Sequence, residues 1–482
     1  MLITVKFSKS NVDLLKKLIE IRPLLSVRKY SQSNESNENI FKFYSDGNES
    51  SKHEPLAEED YQRFISQRAA RREPAITRLI TSLSYKVGKR MISLAEGMPN
   101  EDVFPFKRIA LEMKEGAGMV FEGKELAAAL QYVPSQGLPA LLSELRRFQE
   151  DLHRPPPLPR DILVINGGQH GIYQCVELLV EPGDPVITNE YAYTGIHSTL
   201  KPYKPEILGI PEDDDGLIPE TLDAVLADRL SRGMKMPKMM YVTPTGSNPT
   251  GTVIPEERRR KIYELACRYD FLIVEDEPYM FLNYVGRNPP SFLSMDTCGR
   301  VIRLDSLSKV VSSGLRAAWL TAPTTLLHRL ELHMQAELLH SCTLSQAILL
   351  QLLSDRDRLA NHLKSTSEFY RLRRDALYHE MQILTDLVHC PLPSAGLFFW
   401  VKVNGVEDVY NMVFHTAFKR GLMLIPGQAF VYDSTAPCPY LRLTFSKIKY
   451  EDMKTAILHL SDIIRDEQRI NEKQPQRVAT ES

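Results

Sequence analysis

Short apolar runs alternate with longer amphipathic segments between about residue 105 and residue 360. This alternation constrains the fold more than any other feature of the chain, because it is typical of βα units that build a mainly parallel sheet flanked by helices. Several runs are apolar at every position, as expected of strands that are buried on both faces. The predicted strands are 162–166, 185–189, 206–210, 238–243, 271–275, 301–304 and 318–321.

The order of the segments changes after about residue 365. A long charged helix is followed there by hairpin-like pieces and by a final helix near 450–465, which indicates a smaller α+β domain. We therefore predict an α/β protein with two domains. The predicted boundaries are 59–104 for an N-terminal arm and the start of the small domain, 105–365 for the large domain, 366–468 for the small C-terminal domain and 469–482 for a tail.

Lys309 lies in a Ser- and Gly-rich stretch that follows the predicted strand 301–304. The carboxyl ends of strands are where α/β proteins place their sites. Lys309 could form an imine with an aldehyde cofactor that carries a phosphate. Ser306, Ser308 and Arg316 would then hold the phosphate, Arg316 through a planar fork of donors. The alternative is a loop lysine near the end of a helix.

Three further strand ends carry candidate groups. Gly168 and Gln169 open a helix after strand 162–166, so that their backbone N–H groups can face a phosphate, although such a turn is also common punctuation. Tyr193 follows another strand and could stack on a flat cofactor or simply pack. Asn248 lies in a turn, and its amide could hydrogen-bond a phenolic oxygen.

An acidic segment follows the apolar run 271–274 directly. A carboxylate placed behind four apolar residues must find a positive partner, and a protonated pyridine nitrogen would serve for Asp276. Glu275 and Glu277 fit better as part of a solvated acidic loop. Tyr279 follows within the same stretch.

Together these stretches resemble the pyridoxal-phosphate (PLP) aminotransferases of fold type I, class I/II, and within them the kynurenine/2-aminoadipate and aromatic branch. The resemblance extends from about Tyr61 to about Asp466. It implies that Lys309 is the Schiff-base lysine of a large PLP-binding domain over 105–365. A set of ordered motifs with compatible chemical roles is far more specific than any one of them.

The resemblance also assigns the groups around the cofactor ring. It implies that Asp276 partners the pyridine nitrogen and that Asn248 and Tyr279 partner the ring 3-hydroxyl. Tyr193 would stack on the ring, and Asn248 would also reach the substrate. Lys309, Asp276 and Tyr279 are therefore the predicted catalytic residues.

The resemblance also assigns residues to the cofactor phosphate and to the substrate. The implied phosphate ligands are Ser306, Ser308, Arg316 and the backbone of Gly168 and Gln169. Tyr132 matches a tyrosine that reaches the phosphate and substrate from the neighbouring subunit, which implies a homodimer with shared sites. Arg442 matches the arginine that clamps the substrate α-carboxylate, a task that suits its planar fork, and Gly97 matches a loop position near the substrate.

Two positions depart from the family pattern. Gly168 stands where this branch often has Ser, which removes one hydroxyl from the phosphate site. Glu96 replaces a small residue beside the substrate loop and makes substrate choice less secure.

The resemblance implies ping-pong transamination from an amino acid of 2-aminoadipate, kynurenine or aromatic type to 2-oxoglutarate, with PLP as the cofactor. A lyase or synthase on the same fold is an alternative, because the cofactor motifs do not fix the reaction. A regulator built on this domain would need a DNA-binding helix-turn-helix, and residues 1–60 contain one plausible helix. No strand is followed by G-x-G-x-x-G, which disfavours a dehydrogenase.

Composition excludes several other classes of function. The formal net charge of −2 over 482 residues gives no electrostatic reason to expect nucleic acid. No apolar run approaches the roughly 20 residues that a membrane span requires. The six cysteines form no C-x-x-C pair, so that neither a metal site nor a disulfide framework is indicated.

The N-terminal segment has a different character from the rest. Residues 1–30 are basic and carry apolar residues at helical spacing, which resembles a mitochondrial transit peptide and predicts the mitochondrial matrix, with the cytoplasm as the alternative. Residues 31–58 are rich in Ser, Asn and Glu and are predicted to be a disordered linker.

Overall fold

The computed structural model describes residues 53–78, 80, 94, 95 and 97–478, the last eight of them as backbone only. Its strands, numbered here in chain order, are β1 (Arg108–Leu111), β2 (Met119–Glu122), β3 (Arg160–Ile165), β4 (Pro185–Asn189), β5 (Glu206–Ile210), β6 (Glu212–Asp213), β7 (Gly216–Leu217), β8 (Met239–Val242), β9 (Leu272–Glu277), β10 (Val301–Ser306), β11 (Ala318–Pro323), β12 (Val388–His389), β13 (Phe398–Val403), β14 (Ile425–Pro426) and β15 (Tyr440–Thr444).

The α-helices of the described residues flank these strands. They are α1 (Gln67–Ala70), α2 (Gly123–Leu130), α3 (Pro139–His153), α4 (Gly168–Leu179), α5 (Thr194–Leu200), α6 (Pro219–Ser231), α7 (Glu256–Tyr269), α8 (Phe292–Met295), α9 (Thr324–Glu337), α10 (Thr343–Ser354), α11 (Arg356–Met381) and α12 (Tyr450–Val478). None of the described helices is long and apolar enough to cross a membrane.

The central sheet has the strand order β3-β11-β10-β9-β8-β4-β5. Each of the seven predicted apolar segments forms one of these strands, and the α/β prediction is confirmed. Strand β11 runs antiparallel to the other six strands of this sheet, which share one direction. Alternate residues pack on opposite faces, so that Val274 lies in a cluster with α4 whereas Ile273 lies in a cluster with α7. Burial on both faces explains why these strands are apolar throughout.

A second sheet, β12-β13-β15-β14, is antiparallel and follows the long helix α11. One face of β13 packs into a core shared with α11 and α12, and includes Phe399 and Val401. The order of helix, antiparallel strands and final helix is the predicted one. Helix α11 passes through residue 365, so that the predicted domain boundary lies inside a continuous helix, and the division itself stays a prediction.

The N-terminal predictions lie mostly outside the described residues. These are the whole of the predicted transit peptide, the greater part of the linker, and Glu96. Within the last part of the predicted linker, the backbone N–H of Leu56 donates to the carbonyl of Cys298 at 3.0 Å. Leu56, inside the predicted linker, thus makes a backbone contact with the large predicted domain, and the linker boundary itself stays a prediction.

The prediction that Glu275 and Glu277 belong to a solvated loop is wrong. Strand β9 continues to Glu277, and both side chains are buried on the face of the sheet opposite Asp276. Glu275 lies 3.0 Å from the guanidinium of Arg303, its partner across the parallel β9–β10 pair, and Glu277 lies 3.8 Å from Arg259 of α7. Buried carboxylates need such partners, and Arg303 lies within the predicted apolar strand 301–304.

Arg303→Met should destabilise the fold strongly. Arg303 also pairs with Asp305 at 2.8 Å, so the substitution leaves two buried carboxylates without their cation. Removing one partner of a buried ion pair typically costs about 3–5 kcal/mol. The free energy of unfolding in urea measures the effect. Arg268→Met is the matched control, because Arg268 pairs with Asp223 and Glu264 but is half exposed; similar losses in the two variants would contradict the prediction.

Candidate active site

Four strands that are consecutive neighbours in the central sheet end at the same edge. These are β10, β9, β8 and β4, all parallel to one another. Lys309, Asn248 and Tyr193 follow β10, β8 and β4, and Asp276 lies near the end of β9. Because parallel strands have their carboxyl ends on one side, the sheet brings these four side chains to one edge.

Lys309 lies in the turn directly after β10 and is half buried. Its Nζ is 5.9 Å from the centre of the Tyr279 ring. Burial lowers the pKa of Lys309, the carboxylate of Asp276 opposes this effect, and the cations Arg316 and Arg442 add to it. An amine with a lowered pKa is the form that can attack a carbonyl or accept a proton.

Asp276 is the second-last residue of β9 and is 6% exposed. Burial raises its pKa to about 6, against the lowering effects of a hydrogen bond from Tyr241 and the charge of Lys309. The Tyr241 hydroxyl donates to Oδ2 of Asp276 at 2.6 Å. The sequence analysis missed Tyr241, although a tyrosine inside a continuously apolar strand signals a buried hydroxyl that needs a partner.

Arg316 reaches the same edge because β11, which follows it, runs antiparallel. Its guanidinium donates to the carbonyl oxygens of Asn166 and Ser313. A Cβ on Gly167, whose φ is +86°, would overlap this guanidinium. Glycine is therefore required at position 167 both for the backbone conformation and for the close approach of Arg316.

The remaining predicted phosphate ligands surround this contact. The hydroxyl of Ser306 donates to the hydroxyl of Ser308 at 2.8 Å. Gly168 begins α4, and a Cβ there would lie 3.8 Å from Oδ1 of Asp276. Gln169 is exposed, and its side-chain amide donates to Thr199 of α5 at 3.0 Å. The N-terminus of α4, with its backbone N–H groups and positive helix dipole, favours an anion.

Tyr193 and Tyr279 place two phenol rings beside Asp276. Tyr193 is half buried just before α5, and burial together with the charge of Asp276 raises its pKa. Tyr279 is buried, its pKa is raised by burial and by the same carboxylate, and its ring meets Phe398 edge-on at 6.0 Å between centres. Both phenols therefore stay protonated at neutral pH.

Arg442 extends from β15 of the second sheet to the turn after β8. Its Nη1 donates to Oδ1 of Asn248 at 3.0 Å. The rings of Phe398 and Phe430 lie 4.2 Å and 4.9 Å from the guanidinium carbon. Within the described part of the chain, the buried Nε of Arg442 has no hydrogen-bond partner.

The turn that carries Asn248 is anchored by Arg259, a residue that the sequence analysis does not single out. Arg259 is 1% exposed. Its guanidinium donates to the carbonyls of Ile254 and Pro244 and to the hydroxyl of Thr245. These contacts close the two ends of the turn onto α7, and only the fold could reveal them.

Tyr132 and Gly97 both lie at the protein surface. Tyr132 is 42% exposed and its ring packs edge-on against His340. Gly97 is exposed, and a Cβ there would meet no atom within 4 Å. Their predicted roles stay predictions.

A cleft of about 500 Å³ lies beside the site rather than over Lys309. Its aromatic wall is formed by Tyr191, Trp400 and Tyr440, with ring centres 5.0–5.2 Å apart. Tyr440 is two residues before Arg442 on β15, so that both project from one face of the strand. The cleft thus lies on the face of β15 that carries Arg442.

Comparison with known proteins agrees with this geometry. The model of the family "Aminotransferase class I and II" matches residues 89–460. The bovine protein "Kynurenine/alpha-aminoadipate aminotransferase, mitochondrial" is 39% identical over 422 residues, which cover 84% of this chain and 99% of that protein. The chain belongs to the class I and II aminotransferases.

Two solved structures resemble the chain over most of its length. A multiple substrate aminotransferase from Thermococcus profundus is 28% identical with a TM-score of 0.69, and the match covers 85% of this chain and 99% of that one. A kynurenine aminotransferase from Pyrococcus horikoshii, solved in complex with PMP, is 28% identical with a TM-score of 0.68 over 85% and 98%. The protein is a PLP-dependent transaminase of fold type I.

Proposed function

We propose that this transaminase moves the α-amino group of a kynurenine, 2-aminoadipate or aromatic type of amino acid to 2-oxoglutarate by a ping-pong mechanism. The bovine relative, named for kynurenine and 2-aminoadipate, supports the donor class. One observation in this chain carries the proposal: Arg442 presents a buried, unpaired Nε next to a side-chain amide. A planar cation with a free donor suits the carboxylate that every donor and 2-oxo acid shares.

The residues around Lys309 fit PLP. Gly167 leaves room for the Arg316 guanidinium, the hydroxyls of Ser306 and Ser308 are hydrogen-bonded to each other at the end of β10, and α4 begins at Gly168; we assign this cation, these hydroxyls and the helix N–H groups to the phosphate. The buried carboxyl group of Asp276 is suited to pair with the pyridine nitrogen of the cofactor. When bound, PLP supplies a carbonyl that reacts with amines and a ring that accepts electrons.

The chain's own residues then have separate tasks. We assign to Lys309 the covalent attachment of PLP and the transfer of a proton at Nζ, which its lowered pKa permits. Asp276 holds a negative charge at the ring nitrogen. Asn248 and Tyr279 orient the ring through its hydroxyl, and Tyr193 stacks on it. Arg442 orients each carboxylate substrate, so that donor and acceptor use one position in turn.

The assembly and the location are proposed on other grounds. We propose a homodimer in which Tyr132 reaches the partner's site, because this ring is 42% exposed at the protein surface. We propose the mitochondrial matrix on the basis of the basic segment 1–30 and of the mitochondrial name of the bovine relative. The cytoplasm is the alternative location.

Arg442→Lys tests the carboxylate assignment. Lysine keeps the charge but loses the fork, so KM should rise for the amino donor and for 2-oxoglutarate alike, with kcat/KM lower by about tenfold or more. Initial rates with a panel of amino acids and 2-oxoglutarate measure this. Arg373→Lys is the control, because Arg373 is also buried against aromatic rings but donates to Phe445 on the far side of the second sheet. Normal rates with Arg442→Lys, or equally good donors without a carboxylate, would refute the amino acid proposal.

Lys309 should be the lysine that holds the cofactor. Borohydride reduction of the purified protein should attach PLP irreversibly to the peptide that contains Lys309, as read by mass spectrometry. Lys309→Ala should abolish this labelling, whereas Lys261→Ala, at a surface ion pair, should not change it. Label on another peptide would remove Lys309 from this role.

Gly167→Ala should weaken PLP binding by displacing Arg316. Gly183→Ala is the matched control, since Gly183 has a similar positive φ of +78° but open space around its Cβ. Backbone strain of about 1–3 kcal/mol is expected in both variants. Only Gly167→Ala should also raise the dissociation constant of PLP, by about tenfold for a lost charge-assisted contact. Equal PLP affinities in the two variants would argue against Arg316 as a phosphate ligand.

A further inference from the structure

Tyr241 projects from the middle of the sheet toward Asp276. It pairs with Val274 in the parallel β8–β9 register, and Val274 and Asp276 share one face of β9. The side chain is 2% exposed, and its hydroxyl is 2.6 Å from Oδ2 of Asp276. The shape of the fold therefore places one phenol donor directly behind the carboxylate.

The hydroxyl of Thr243 indicates the direction of this hydrogen bond. Thr243, on the same face of the chain, donates to the Tyr241 oxygen at the long distance of 3.5 Å. A phenol has a single hydrogen, and it is directed to the carboxylate. Burial and the neighbouring Asp276 raise the pKa of Tyr241 well above its usual value, so that it remains a donor at any working pH.

Several other groups affect the charge of Asp276. Arg303 and Asp305 lie on β10 with their side chains on the opposite face of the sheet; Arg303 favours the charge of Asp276 and Asp305 opposes it, and Lys309, after β10, favours it. The thiol of Cys175 on α4 is neutral, since burial raises its pKa, and the phenols of Tyr193 and Tyr279 are neutral for the same reason. The hydrogen bond from Tyr241 is the largest single cause that lowers the pKa of Asp276.

The two carboxylate oxygens have different surroundings. Oδ2 accepts the hydrogen bond from Tyr241, whereas Oδ1 lies toward Gly168 at the start of α4, which is the predicted cofactor side. We propose that Tyr241 is a positioning residue that binds Oδ2, keeps Asp276 ionised and leaves Oδ1 for the pyridine nitrogen of PLP. The proposal rests on the role of Asp276 proposed above.

Tyr241→Phe tests the proposal by removing one oxygen and keeping the ring. The full-length protein is freed of cofactor, and its dissociation constant for PLP is measured from pH 5.5 to pH 8.5. PLP affinity should fall as the pH is lowered and Asp276 becomes protonated. In the variant this transition should lie about one pH unit higher, and below it the variant should bind PLP about tenfold more weakly, as expected for a lost hydrogen bond to a charged group. Above the transition the difference should shrink, because Asp276 is then ionised in both proteins.

Tyr263→Phe is the matched control. Tyr263 is also buried, and its hydroxyl also donates to a buried aspartate, Asp296, at 3.0 Å, but this pair is not part of the site. The variant should be less stable in urea with an unchanged pH profile for PLP. If Tyr263→Phe moved the profile as far as Tyr241→Phe does, Tyr241 would be a structural residue only.

Asp276→Asn distinguishes the role proposed for Tyr241 from the role proposed for Asp276. If Tyr241 acts through Asp276, adding Tyr241→Phe to Asp276→Asn should change PLP affinity no further. An Asp276→Asn variant with normal affinity and normal turnover would overturn the role of Asp276 itself. An effect of Asp276→Asn together with a wild-type profile for Tyr241→Phe would overturn the proposal for Tyr241 alone.

Discussion

The parallel pairing of β9 with β10 is the constraint on which the site depends. In this register Asp276 lies opposite Leu304, and Lys309 leaves the end of β10 a few residues later. A shift of one residue would turn Asp276 to the other face of the sheet, because side chains alternate along a strand. Arg303, fully buried between Glu275 and Asp305, gives this pair of strands a polar contact that is satisfied in one register. Glu275 and Glu277, which flank Asp276, thus stabilise the sheet, while Asp276 lies on the opposite face, beside the proposed cofactor site.

The one antiparallel strand of the central sheet has a specific consequence. Because β11 runs opposite to β10 and β3, the chain between Ser306 and Ala318 begins and ends at the same edge. A parallel β11 would require a crossover to the far edge before the strand began. The short return keeps Arg316 beside Gly167, so that a lysine and an arginine from one continuous segment can serve two ends of the same cofactor.

The second sheet contributes through one close approach. The backbone at Gly246 meets the backbone at Gly396 so closely that a Cβ at 246 would lie 2.7 Å from the Gly396 nitrogen. This contact brings the turn of Asn248 under β15, where Arg442 donates to its side chain. A substrate carboxylate at Arg442 would therefore lie beside Asn248, the residue to which we assign the orientation of the cofactor ring.

The sequence by itself determined the seven strands, because burial on both faces produces continuous apolar runs. It also determined the edge at which polar residues follow the strands and the residue types of the candidate site, because α/β proteins place their sites at the carboxyl ends of strands. It also determined the family, through motifs whose order and chemistry agree. Only the tertiary structure decided which charged residues are buried. Glu275, Glu277, Arg303 and Arg259 have no local signal, since their partners come from other elements of the chain. The contact of Tyr241 with Asp276 was hidden for the same reason: two residues 35 positions apart meet only when β8 and β9 pair in their observed register.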